Sequence, residues 1–207
     1  LSTMKFCLDS VIIRPEKGFE IKNAIILLHG YGGDGNDISM LSLNWKRHMP
    51  NTVFICPNGH ESCAINPSGY QWFDLTREDS DYILEQSIKG EEVLKKFINE
   101  IKNEFKLSNN QICLSGFSQG CMMSLNVGLT FEEKFLCIVG FSGKIINQKD
   151  LKNRIKNNTE ILLIHGEVDQ IVPSTHLLEA KDFLIRNNVK VDTLLIKNCD
   201  HHIPIEA

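Results

Sequence analysis

Gly116-Phe117-Ser118-Gln119-Gly120 places a hydroxyl between two glycines directly after the apolar run 112–114. A serine held up at a sharp strand-to-helix turn occupies strained backbone, and the residues flanking it must be glycine because side chains there would block the turn. Ile112-Cys113-Leu114 suits a buried strand, and residues 120–129, with Cys121, Met122, Met123, Leu125 and Val127, suit a helix packed on a sheet. Strand, serine and helix together read as a nucleophile elbow. Other strand-to-helix turns also carry glycines and a capping serine, so the reading depends on partners elsewhere in the chain.

The 207 residues leave room for one domain with a sizeable core, and 42% hydrophobic with 23% charged residues is ordinary for a globular protein. With 22 Lys+Arg against 26 Asp+Glu, net charge −4 and no charge blocks, the balance argues against a nucleic-acid partner or an anionic membrane surface. No apolar run approaches the length of a membrane span, and residues 1–6 lack the apolar core of a signal peptide. The seven cysteines are odd in number, form no C-x-x-C pair and fall mostly in strand-like runs. They are expected to be reduced core residues of a cytoplasmic protein.

Residues 7–13 read as an edge strand stopped by Arg14-Pro15, and 24–28 as a strand apolar on both faces, which belongs inside a parallel sheet. After the glycine-rich 30–35, residues 36–48 carry Ile38, Leu41 and Trp45 at helical spacing, and 52–56 is the next strand. Residues 57–78 form the longest irregular stretch. Its aromatics Tyr70, Trp72 and Phe73 are expected to line the acyl or leaving-group side of a cleft, the alternative being that Trp72 only plugs the sheet edge. A long amphipathic helix follows over 81–105, then strands at 136–141, 160–164 and 189–196 and a helix over 174–186. Strands alternating with helices specify a mostly parallel α/β sheet with helices on both faces.

An elbow serine works with an acid and then a histidine, each just beyond a later strand. Asp169 follows the run 161–164 and His201 follows 194–196, in that order. Ligands of open α/β sheets bind beyond the carboxyl ends of the strands, where Ser118 also emerges. The roles follow from the chemistry: Ser118 attacks, an imidazole takes its proton, and Asp169 orients that imidazole. The neighbouring residues leave the base open between His201 and His202, because both lie on the right loop and only one can face Ser118 and Asp169 together. Backbone donors for the oxyanion are expected from Gln119 and from the loop after an early strand, at Tyr31. Gly30, Gly32 and Gly35 also spell a dinucleotide fingerprint, but the acid it expects after the next strand is replaced by Pro57-Asn58, which weakens an NAD-binding reading. Metal binding through Cys199, Asp200, His201 and His202 lacks the usual ligand spacing, so no metal is expected.

Taken together, residues 27–35 (Leu-Leu-His-Gly-Tyr-Gly-Gly-Asp-Gly), Cys56-Pro57-Asn58-Gly59, Trp72-Phe73-Asp74, the elbow, Phe141-Ser142-Gly143 and residues 165–173 (His-Gly-Glu-Val-Asp-Gln-Ile-Val-Pro) resemble the phospholipase/carboxylesterase family, which includes the acyl-protein thioesterases. The resemblance implies a compact α/β-hydrolase with little or no lid, cleaving carboxylic esters or acyl thioesters without a cofactor. Acylated proteins and lysophospholipids come into view as substrates, and a monomer or a homodimer stays open. It places nucleophile, acid and base on Ser118, Asp169 and His201, with Tyr31 and Gln119 as oxyanion donors. The rival from another class is a non-catalytic binding protein on the same fold. Asp200 stands where the family's pattern has glycine before the histidine. The family also continues into a final helix, whereas this chain, expected to be one domain over residues 1–207, ends six residues beyond His201.

Overall fold

The computed structural model describes residues 6–207, so the reading of residues 1–5 lies outside it. The chain runs β1 (Ser10–Ile13), β2 (Asn23–Leu28), α1 (Gly35–Ser39), α2 (Leu41–Trp45), β3 (Thr52–Pro57), β4 (Glu61–Ser62) and β5 (Tyr70–Gln71). It continues with α3 (Ser80–Phe105), β6 (Ile112–Phe117), α4 (Gln119–Thr130), β7 (Cys137–Phe141), α5 (Gln148–Arg154), β8 (Ile161–Gly166), α6 (Thr175–Arg186) and β9 (Val191–Ile196). Seven strands form one sheet in the order β1-β3-β2-β6-β7-β8-β9, and β4 and β5 pair as a small separate ribbon. Among the described residues, the strands of this sheet are parallel except for β1, which runs antiparallel to β3; its edge position suits a strand bounded by Pro15.

Side chains alternate across a strand, so β2 serves two cores at once. Ala24, Ile26 and Leu28 join Leu94, Phe97 and Ile101 of α3, Leu125 of α4 and Leu184 of α6. Ile25 and Leu27 turn the other way, with Phe54, Cys56 and Cys113, beneath Ile38, Leu41 and Trp45. Helices therefore cover both faces as expected, but unequally: the long ones share one face and the short α1 and α2 lie on the other.

Three segments differ from the sequence reading. The helix expected over 36–48 divides into α1, α2 and a 3-10 turn at Lys46–His48. The Ser39 hydroxyl donates to the Asn36 carbonyl and that of Ser42 to the Ser39 carbonyl, local bonds that compete with a continuous helix. The irregular stretch 57–78 contains the β4–β5 ribbon. Helix α5 has no counterpart in the sequence pattern, because its seven residues are too few to show a period. It is held by Arg154, which donates to the buried Glu91 of α3 at 2.8 Å and to Asp150 at 2.7 Å.

Candidate active site

Ser118 stands between β6 and α4 at φ 56° and ψ −115°, a left-handed backbone that a non-glycine residue adopts only under strain. Its amide donates to the Phe141 carbonyl at 2.8 Å and its carbonyl accepts from the Met122 amide at 3.1 Å, which pins the turn to β7 and α4. The two flanking glycines are required by close approach. A Cβ on Gly116 would lie 2.3 Å from the Gly120 backbone, and one on Gly120 would lie 2.0 Å from the Leu28 carbonyl oxygen. The elbow is thereby pressed against the end of β2, where the glycine-rich loop begins.

The structure brings Ser118, His201 and Asp169 into one hydrogen-bonded chain. His201 Nε2 lies 3.0 Å from Ser118 Oγ and His201 Nδ1 lies 2.6 Å from Asp169 Oδ2. A carboxylate facing Nδ1 keeps the proton there, leaving the Nε2 lone pair for the serine hydroxyl. The Asp169 side chain is fully buried and its Oδ1 accepts from the amides of Ile171 and Val172 at 2.9 and 2.8 Å. Such a carboxylate is fixed in position. His202 points elsewhere: its Nδ1 faces Asp200, and its side chain is 56% exposed. The Phe117 ring packs against the imidazole of His201 at 4.7 Å between centroids and holds its third side.

Tyr31 and Gln119 both line the cavity that contains Ser118 and His201, a volume of about 550 Å³. Gln119 is the first residue of α4, so its amide lies at the positive end of a helix twelve residues long. Its side chain reaches back to the 57–78 segment: Oε1 accepts from the Trp72 amide at 2.7 Å and Nε2 donates to the Phe73 carbonyl at 2.8 Å. Phe73 forms part of the cavity wall. Trp72 does not, which corrects the expectation that it lines the cleft. Its indole is 0% exposed, stacks on His29 at 5.1 Å and donates Nε1–H to the His29 carbonyl at 2.9 Å. The glycine pattern of residues 30–35 packs on the elbow, where a Cβ on Gly30 would touch the Cβ of Ser118 at 3.4 Å. It forms a wall of this cleft.

Two buried histidines were not singled out from the sequence. His29 Nδ1–H donates to the Gly30 carbonyl at 2.7 Å and its Nε2 accepts from the Gly59 amide at 2.8 Å, so the ring is neutral and ties the loop holding Tyr31 to the end of β3. His165 Nε2–H donates to the Val172 carbonyl at 2.7 Å and stands 3.6 Å from Asp169 Oδ2. Burial holds both imidazoles below the usual histidine pKa. The signal for each was a histidine at the carboxyl end of an apolar strand, directly before a glycine. Cys121, one turn into α4, is no competing nucleophile, since burial pushes its thiol up to about 12. Among the described residues no cluster of three or more His, Cys, Asp or Glu side chains could hold a metal ion, and no helix is long and apolar enough to cross a membrane.

Comparison with known proteins follows the same lines. The family described as Phospholipase/Carboxylesterase matches residues 9–207. Acyl-protein thioesterase 1 of Emericella nidulans is 31% identical over 167 residues, covering 72% of this chain and 70% of its own length. Acyl-protein thioesterase 1 of Schizosaccharomyces pombe is 29% identical over 192 residues, covering 87% and 82%. Among solved structures, esterase PE8 superposes with a TM-score of 0.91 at 33% identity over 96% of this chain and 93% of its own. Acyl-protein thioesterase 2 of Zea mays shares the fold at a TM-score of 0.74 and 23% identity, over 96% and 93%.

Proposed function

The chain belongs to the phospholipase/carboxylesterase family, and from that premise we propose that it is a serine hydrolase cleaving carboxylic esters or acyl thioesters through Ser118, His201 and Asp169. The observation that carries the reading is the unbroken line from Ser118 Oγ through both ring nitrogens of His201 to the buried Asp169 carboxylate. Ser118 Oγ attacks the carbonyl carbon as its proton passes to His201 Nε2, and Asp169 stabilises the imidazolium. The tetrahedral oxyanion takes hydrogen bonds from the amides of Tyr31 and Gln119, aided by the α4 N-terminus. Collapse expels the alcohol or thiol, which receives the proton from His201. Water then attacks the acyl-enzyme with His201 as base, the carboxylic acid departs and Ser118 regains its proton.

The acyl chain belongs in the 550 Å³ cavity, whose walls include Phe73, Leu75, Ile83, Met122, Ile146 and Ile171. Apolar side chains there favour a hydrocarbon acyl group over a charged one. Seven cysteines without a disulfide support a reducing, cytoplasmic setting.

Treatment of the folded protein with a fluorophosphonate probe tests the reading. Labelling that disappears in Ser118→Ala is expected; a folded wild-type protein that takes up no probe would leave a non-catalytic binding protein. Rates on p-nitrophenyl esters of graded acyl length, an acyl thioester and a lysophospholipid then rank the substrate classes.

A further inference from the structure

A second cavity of about 460 Å³ adjoins the first, and nothing in the chemistry above uses it. The two share Gly30, Tyr31, Phe117 and His201 as a common ridge. They differ in what lies on either side. Ser118 and Gln119 line only the first, whereas the second is reached past His201 and continues along Ile203 to Ile38, Met40 and Leu41 of the α1–α2 segment. In acyl transfer the tetrahedral carbon carries four groups: the serine oxygen, the oxyanion, the acyl chain and the leaving atom. The histidine must lie against the leaving atom, because it delivers the proton that lets it go. A cavity bordered by the histidine but not by the nucleophile is therefore on the leaving-group side.

We infer that this second cavity is the binding site for the alcohol or thiol half of the substrate, and that it selects leaving groups with an apolar body ending in a neutral or cationic tip. The inference rests on the serine hydrolase reading and extends it to the other half of the ester. The apolar body follows from Ile38, Met40, Leu41, Phe117 and Ile203. The tip follows from the polar groups at the cavity: the Asn44 amide, the His202 ring and the Asp37 carboxylate, which has no ion-pair partner among the described residues. An anionic tip would meet that exposed carboxylate, and like charges at short range repel even where water screens part of the interaction. The first cavity carries both a cation and a carboxylate at its wall, Lys144 and Glu78, whose charges offset, whereas Asp37 is the one carboxylate at the second.

Octanoate esters of methanol, 1-hexanol, 6-aminohexanol and 6-hydroxyhexanoate test this, with kcat/KM compared within each protein preparation so that folded fraction cancels. The wild type should favour the hexyl over the methyl ester by at least about tenfold, since five more methylenes leave water in the transition state. It should favour the aminohexyl over the carboxylate ester as well. Met40→Trp, at a position 59% exposed, should bring the hexyl-to-methyl ratio down towards one by filling the cavity from its wall. Asp37→Asn should narrow the aminohexyl-to-carboxylate ratio by about threefold or more, the charge being partly screened. A hexyl-to-methyl ratio near one in wild type, or one unmoved by Met40→Trp in an enzyme that still takes up fluorophosphonate, overturns the inference alone. No turnover of any ester together with no labelling overturns the hydrolase reading and this inference with it.

Discussion

Replacing Gly120 with alanine should cost far more activity than stability, and the reason is a single contact. A Cβ at this position would stand 2.0 Å from the Leu28 carbonyl oxygen and 2.6 Å from that of His29. An ordinary contact begins near 3.4 Å, so α4 and the end of β2 must separate by about 1.4 Å or tilt by an equivalent amount. Both obstacles are backbone, so no rotamer change relieves them. Overpacking of this kind costs about 2 kcal/mol, and alanine returns about 1 kcal/mol of helix propensity relative to glycine. The net loss, about 1 kcal/mol, lowers the melting temperature of a chain this size by only about 3 °C. The displacement falls on the two elements that carry the proposed oxyanion donors, with Gln119 on α4 and Tyr31 three residues beyond Leu28. Misplacement by 1 Å at a reacting centre costs about 100-fold. Steady-state hydrolysis of a p-nitrophenyl ester, read beside a thermal melt, should show kcat reduced by about that factor with KM changed much less. Turnover within about threefold of wild type at an unchanged melting temperature would refute the geometry of the elbow.

Three further outcomes are expected. His201→Ala should abolish turnover at every pH, whereas His202→Ala keeps at least about a tenth of it, because only His201 reaches both Ser118 and Asp169; the reverse ranking in a pH–rate series would move the base to His202. Trp72→Phe should leave acyl-length preference unchanged while destabilising the fold by about 2 kcal/mol in urea denaturation, since the His29 carbonyl loses its buried donor; a shifted chain-length optimum would return Trp72 to the cleft. Stability should rise with pH through about 6.5: burial depresses the folded-state pKa of His29 and His165, so below that pH the unfolded chain binds more protons and gains relative to the native state. Melting temperatures from pH 5 to 8 check the sign, and His29→Gln, which keeps a donor and an acceptor, should flatten the slope.

Much of this protein is legible along the chain. Glycines around Ser118, an acid beyond one later strand and a histidine beyond the next are signals carried by residue type and spacing, and the sheet order places strand ends at one edge whatever the packing details. The apolar runs and the 3.6-residue stripe of α3 likewise depend on local pattern, so β2, β3, β6 to β9, α3, α4 and α6 were all foreseen within a few residues. Tertiary structure alone decided the rest. Whether His201 or His202 turns inward depends on the backbone path of a loop with no period, which the Val168 amide, donating to the Cys199 carbonyl at 3.0 Å, ties beside the loop of Asp169. Trp72 and Phe73 are adjacent aromatics of equal promise in sequence; Trp72 is drawn under His29 and Phe73 is left at the cleft wall because Gln119, nearly fifty residues away, binds the backbone of both. The split of 36–48 arose from two serine hydroxyls finding nearby carbonyls, and the second cavity exists because the two short helices it produced meet the His201 loop across a gap. Pattern along a chain specifies which elements form, but which face of a loop residue meets a distant partner is fixed only when those partners pack.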